Sequence, residues 1–136
     1  MYRPLLCVIV VAFVTGCPNL KPKSAQELIE EQVAAMNGVT AVLDEIVSDQ
    51  AAVAAIPRLE KAAARLKAAN DAAARTQPKG GHQPTPEEMN QAMAAAAPLI
   101  DAGMKMAIAT QKAQMNAPKS AAKIRQAIEP ISSPNR

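Results

Sequence analysis

The sequence predicts an all-α fold, a small antiparallel three-helix bundle or a long helical hairpin, after a cleaved signal peptide. Apolar residues recur at spacings of three and four along three long segments, which is the period of an amphipathic helix. No segment alternates apolar and polar residues as a half-buried strand would. Pro57 and Pro98 lie inside two of these segments, so we expect a kink in the helix at each.

The amino terminus has the pattern of a secretory signal peptide. Arg3 precedes an apolar run of ten residues from Leu5 to Val14. A helix that spans a bilayer needs about 20 apolar residues, so this run is too short to be a stable anchor. A basic start, a short apolar middle and small residues at the end indicate a segment that is removed. We therefore expect residues 1–16 to be cleaved from the mature chain.

The end of this run, Val14-Thr15-Gly16-Cys17, resembles the lipobox of bacterial lipoproteins. The resemblance implies cleavage between Gly16 and Cys17, an S-diacylglyceryl group on the Cys17 sulfur and an N-acyl group on its new amino group. Ordinary signal peptidase cleavage is the alternative, and it would leave Cys17 as a free thiol. Because Cys7 leaves with the signal, Cys17 has no disulfide partner.

Lipidation would fix where the protein resides. Three acyl chains, as the resemblance implies, hold a protein in a membrane essentially permanently. The expected location is the cell membrane or the outer membrane, with the protein facing the periplasm or the exterior. Pro18 follows the cysteine in place of the aspartate that typically marks inner-membrane retention, and both membranes remain open. Residues 17–23 contain two prolines and two lysines, which favours a flexible tether.

The helical domain is expected over residues 24–129, followed by a disordered tail at 130–136. Its helices are predicted at about 24–47, 50–76, 86–116 and 120–129. Ser24-Ala25-Gln26-Glu27 has the form of a capping box, and Ser48-Asp49 that of a tight corner with a second N-cap. Thr85-Pro86 supplies an N-cap and a proline at the first helical position after a loop rich in glycine and proline.

Each long helix has a predicted core-facing stripe. In the third helix, the stripe comprises Met89, Met93, Ala97, Ile100, Met104, Ile108, Gln111 and Met115. In the second helix, it comprises Ile56, Leu59, Ala63, Leu66, Asn70 and Ala73. The first helix has a broad apolar face that contains Gly38, where we expect the missing side chain to permit close packing.

Composition excludes several classes of function. Tyr2 and Phe13 are the only aromatic residues, and both leave with the signal, so the mature chain has no platform for stacking bases. Loss of Arg3 leaves 14 basic and 12 acidic residues, a net charge of +2. We expect no nucleic-acid partner. The acidic residues concentrate at 24–49 and the basic ones at 50–77, so the first two helices should attract each other.

The basic residues of the second helix admit two interpretations. Arg58, Lys61, Arg65 and Arg75 could attract anionic lipid headgroups. They could also be a solvated face partly opposed to the acidic first helix, which is the favoured interpretation.

Candidate catalytic and metal-binding residues are few. His82 is the only histidine, and nothing in the sequence brings a nucleophile to it. Glu87 and Glu88 are adjacent on a first helical turn, so their carboxylates diverge and more simply complement the helix dipole. We predict no catalytic residue, no cofactor and no enzymatic activity. The one soft-metal hypothesis uses Met89 and Met93, with His82 nearby, to bind Cu(I). The alternative is that these methionines fill the core.

The sequence therefore predicts an envelope lipoprotein that serves as a non-enzymatic interaction or structural module. Its expected partners are membrane lipid through Cys17 and either an envelope protein or a second copy of itself. A soft-metal or small-ligand carrier with a methionine-lined interior is the alternative. Residues 57–61 and 65–67 loosely resemble short all-helical lipoproteins of unknown function, a likeness that implies no activity.

Overall fold

The computed structural model describes residues 23–76 and 85–132, and every regular element within these ranges is an α-helix. The four helices are α1 (Ala25–Asp44), α2 (Asp49–Thr76), α3 (Pro86–Asn116) and α4 (Ala121–Ser132). The prediction of an all-α fold is therefore confirmed for the described residues. The predicted signal peptide and all but the last residue of the predicted tether lie outside them, as do residues 77–84 and 133–136.

Helix α1 begins at the predicted capping box. Ser24 Oγ accepts a hydrogen bond from the backbone N–H of Glu27 at 3.2 Å, and the Glu27 carboxylate accepts one from the backbone N–H of Ser24 at 2.7 Å. Both donors would otherwise lack partners at the helix start. The pKa of the Glu27 carboxyl is lowered mainly by the hydrogen bond from the Ser24 backbone. The hydrogen bond with the Ser24 side chain lowers it further.

A tight turn joins α1 to α2. Helix α1 ends at Asp44, three residues before the expected end at 47, and the backbone N–H of Ile46 donates to the carbonyl of Leu43 at 3.0 Å. This turn places Ile46 in the core and leaves Val47 69% exposed. Ser48 Oγ accepts from the N–H of Ala51 at 3.2 Å, which confirms Ser48 as the cap of α2.

Proline interrupts none of the three helices that contain it. Helices α2 and α3 continue through Pro57 and Pro98, and α4 continues through Pro130 to Ser132. All three prolines are exposed, so each missing N–H costs a hydrogen bond on a solvated face. The prediction of a disordered tail from residue 130 is wrong for residues 130–132, which are helical.

The two helix connections within the described residues meet at one end of the domain. Asn116 Nδ2, at the end of α3, donates to the carbonyl of Ile46 at 3.1 Å. The backbone N–H of Ser120, just before α4, donates to Asp49 Oδ1 at 2.9 Å. Helix α1 packs against α2 and α3, and α4 packs against α2 and less extensively against α3. The fourth helix is therefore an integral part of the domain.

Few large side chains form the core, and many alanines surround them. The largest fully buried residues are Val39, Leu43, Ile46, Leu59, Leu66 and Ile124. Ala52, Ala63, Ala113 and Ala117 are fully buried among them. Alanine lets helices approach closely but contributes little buried area per residue. On α2, the predicted stripe is confirmed at Leu59, Ala63 and Leu66.

Candidate interaction surface on helix α3

Helix α3 contacts the rest of the domain through alanine. Ala102, Ala109 and Ala113 are each less than 5% exposed, and Met106 packs beside them against the core. These residues recur at spacings of three and four, so they form one face of the helix. Because their side chains are small, this face lies close to the larger residues of α1.

The opposite face of α3 is apolar and exposed, which corrects the sequence prediction for this helix. Its six large residues, here called the α3 stripe, are between 50% and 68% exposed. They are Met89, Met93, Ile100, Met104, Ile108 and Met115. Both faces of α3 have helical spacing, and the face with the smaller side chains is the one that turns inward, toward a core whose largest side chains come from the other helices and the turn after α1. The stripe lies about half a turn away from the alanine face.

The α3 stripe runs almost straight along the helix. Met93, Met104 and Met115 lie 11 residues apart, as do Met89 and Ile100. Eleven residues complete three helical turns with only about 20° of drift. Ala97 and Gln111 fill the remaining positions of the same pattern and are also exposed. The result is a narrow apolar band about 40 Å long from Met89 to Met115.

Charged residues line only one edge of this band. At about 100° per residue, Glu87, Asp101, Lys105 and Lys112 fall on the same edge. Asp101 and Lys105 form an ion pair of 2.8 Å with both side chains more than 60% exposed. The other edge consists of small or uncharged residues. They are Ala96, Gly103, Ala107 and Gln114.

A second surface feature is a shallow groove of about 340 Å³ between α1 and α2. Arg58, Lys61 and Arg65 form one side of it. Gly38 lines it too, and a Cβ at this position would have no neighbour within 4 Å. The expectation that Gly38 permits close packing is therefore wrong, because the position faces open space.

One basic residue of the groove is held by a carboxylate just after α1, within the acidic segment 24–49, as the charge distribution predicts. Arg58 Nη1 and Nη2 donate to the two carboxylate oxygens of Glu45 at 2.6 and 2.9 Å. This bidentate ion pair lowers the pKa of the Glu45 carboxyl and raises the pKa of the Arg58 guanidinium. Lys61 and Arg65 have no ion-pair partner among the described residues, and Arg75 lies farther along α2 outside the groove.

The remaining predicted site residues are placed apart or lie outside the described ranges. Gly16, Cys17 and His82 are outside them. Met89 and Met93 are exposed one turn apart on the α3 stripe, so they do not line an interior as the carrier hypothesis expected. Within residues 23–76 and 85–132, no group of three or more His, Cys, Asp or Glu side chains could hold a metal ion.

By length and composition alone, Met89–Asn116 is apolar enough to cross a membrane. In this structure the same segment packs its alanine face on α1 and exposes its stripe.

Sequence reasoning missed both the exposure of the stripe and its charged edge. The alanine row at 102, 109 and 113 was the available signal that a second face could turn inward.

Comparisons with protein-family models, curated proteins and solved structures each found no match.

Proposed function

We propose that this chain is a lipid-anchored protein of the bacterial envelope that acts by contact with another protein and catalyses no reaction. The α3 stripe carries the contact role, because soluble proteins rarely expose a large contiguous apolar band without a partner. The groove beside Lys61 and Arg65 is shallow and open, which makes it a poor enclosure for a small substrate.

The lipobox resemblance supports the anchor. Cleavage between Gly16 and Cys17 would give a mature chain that begins at an S-diacylglyceryl, N-acyl Cys17, in the cell membrane or the outer membrane. Ser24, where α1 is capped, lies seven positions after Cys17. Seven extended residues reach about 25 Å at most, so the helical domain stays next to the bilayer surface. A partner in the same membrane would meet the domain at high local concentration.

Two matched cysteine substitutions test the anchor. The intact mass of the native protein is expected to correspond to a chain that starts at Cys17 and carries fatty-acid mass. Cys17→Ser should remove the acyl mass and release the protein from the membrane fraction. Cys7→Ser should change neither, because Cys7 leaves with the signal. A native species that starts elsewhere, or that lacks acyl mass, would contradict the anchor.

Chemical crosslinking in intact cells, followed by mass spectrometry, tests the contact role. The wild-type chain is expected to give reproducible crosslinked products, and Met104→Gln combined with Ile108→Gln should lose them. Val53→Gln provides the control, since Val53 is 60% exposed on α2, away from the stripe. Products that survive the double substitution, or that Val53→Gln also removes, would show that the stripe is not the contact.

The second candidate is a soft-metal carrier, favoured by the exposure of Met89 and Met93 on adjacent turns. Residues four apart on a helix face one another, so two thioethers could reach one Cu(I) ion from the same side. Equilibrium dialysis with Cu(I) tests the idea. Retained copper that Met89→Leu and Met93→Leu remove together would support it, and equal retention in the variant would end it.

A further inference from the structure

We infer that the α3 stripe is the contact surface of a homodimer, in which α3 of one copy packs antiparallel against α3 of a second copy. This inference rests on the proposed contact role and adds the identity of the partner. The stripe lies opposite the alanine face, so a second copy can pack on it without disturbing the contact between α3 and α1. A two-fold axis makes such a contact self-complementary.

The order of large and small residues fits an antiparallel arrangement. We place the two-fold axis at the level of residue 102 along α3, on the side of the stripe. Met89 then lies opposite Met115 of the second copy, and Ile100 lies opposite its Met104. Ala97 then lies opposite position 107, next to the larger Ile108, so a small residue faces a large one. Because the stripe is nearly straight, the two helices can remain in contact along its whole length.

Charge complementarity selects a second copy as the occupant. Along the charged edge, the acidic residues Glu87 and Asp101 precede the basic residues Lys105 and Lys112. In an antiparallel pair this edge faces itself in reverse order, so the acidic half of one helix lies along the basic half of the other. Asp101 lies opposite position 103, two residues from both Asp101 and Lys105 of the second copy, while Glu87 and Lys112 lie along the oppositely charged half of their partner helix. In a parallel pair, the charged edge would face the uncharged edge instead.

A bilayer is the weaker candidate for the same surface. The edge of the stripe carries two acidic and two basic residues, so it has no net attraction for anionic headgroups. A membrane-spanning α3 would place Asp101 and Lys105 near the middle of the hydrocarbon, where charges are strongly disfavoured. It would also require the buried alanine face to separate from α1.

Disulfide crosslinking of the full chain in membranes tests both the contact and its direction. Cells that express both a Met89→Cys and a Met115→Cys copy should form a disulfide-linked dimer under mild oxidation. Each variant alone should form none, because positions 89 of the two copies would lie about 40 Å apart. Both residues are exposed, so the substitutions should leave the fold intact. Peptide mapping of the linked product identifies which thiols reacted.

Every outcome of this experiment is decisive. A dimer from either variant alone through the introduced thiols would indicate a parallel contact and overturn the antiparallel arrangement. No link in the mixture would overturn the homodimer. If stripe-dependent crosslinks to another protein persisted in cells, the contact role would still stand without a homodimer. Wild-type dimers linked through Cys17 would show a free thiol there, so a failed anchor is recognised separately.

A charge experiment tests the complementarity itself. Lys105→Glu combined with Lys112→Glu makes the whole edge acidic, so the dissociation constant of the detergent-solubilised dimer should rise at least tenfold in sedimentation equilibrium. Lys61→Glu combined with Arg65→Glu changes the net charge equally on α2 and should leave the constant unchanged. Equal effects from both pairs would overturn the charged-edge contact. Circular dichroism checks that each variant is folded.

Discussion

Asp49 Oδ1 accepts a hydrogen bond from the backbone N–H of Ser120 at 2.9 Å, although the two residues lie 71 positions apart. Asp49 is the first residue of α2, and Ser120 immediately precedes α4. The Ser120 N–H also donates to the carbonyl of Ala117 at 3.0 Å, so the Asp49 carboxylate is a second, charged acceptor for this N–H at the start of α4. Ser120 is 5% exposed, so the donor side of this contact between the starts of α2 and α4 is shielded from water.

We expect Asp49→Ala to lower the free energy of unfolding by about 1 kcal/mol, because the largely buried Ser120 N–H loses its charged acceptor and keeps only the carbonyl of Ala117. Chemical denaturation followed by circular dichroism measures the change. Asp44→Ala is the matched control. Asp44 is exposed, and no hydrogen bond or ion pair to it is seen among the described residues, so its effect should stay within about 0.5 kcal/mol. Equal effects of the two substitutions would contradict a linking role for Asp49.

Ile124 tests whether α4 belongs to the core. It is fully buried, so Ile124→Ala should lower the free energy of unfolding by about 2–5 kcal/mol through lost burial and the cavity left behind. Val53→Ala removes methyl groups from an exposed position on α2 and should change stability by about 0.5 kcal/mol or less. If the two variants were equally stable, α4 would not contribute to the core.

The helix starts could be predicted from the sequence because the interactions that fix them are local. The capping box of Ser24 and the cap at Ser48 each join atoms three residues apart. The proline at position 86 begins α3 as its fixed backbone angle predicts. Such signals need no knowledge of the rest of the fold.

The inward face of α3 could not be predicted from the sequence because it depends on what α1 presents. Two rows of α3 have helical spacing, and the rule that larger apolar residues face inward selected the wrong one. Ala109 and Ala113 share one core cluster with Val39 and Leu43 of α1, and the room left for α3 in that cluster is a property of the packed helices. The link between Asp49 and Ser120 is equally invisible, since nothing local pairs residues so far apart.

Acidification should weaken the domain through Glu27 and Glu45. The pKa of each carboxyl is lowered in the folded state, the first mainly by the Ser24 backbone hydrogen bond and the second mainly by Arg58. Their stabilising contribution is therefore fully present above the unfolded pKa of about 4.3 and is lost as the pH falls through the lower folded values. The free energy of unfolding, measured from pH 7 downward, should decrease over that window.

Substitution of both carboxyl groups isolates their part of this pH dependence. The double variant Glu27→Gln with Glu45→Gln should be less stable at neutral pH and should lose less stability on acidification. Glu30→Gln with Glu60→Gln removes two other exposed carboxylates and serves as the control. A double variant as acid-sensitive as the wild-type chain would show that these contacts do not stabilise the domain.

Gly38→Ala should stabilise the protein. The position lies inside α1, and a Cβ there would meet nothing within 4 Å, so alanine gains helix propensity without a steric penalty. The expected increase in the free energy of unfolding is about 0.5–1 kcal/mol. Ala41→Gly, at an exposed position of the same helix, should produce a decrease of similar size. Destabilisation by Gly38→Ala in thermal or chemical denaturation would instead mean that another surface packs closely against this glycine.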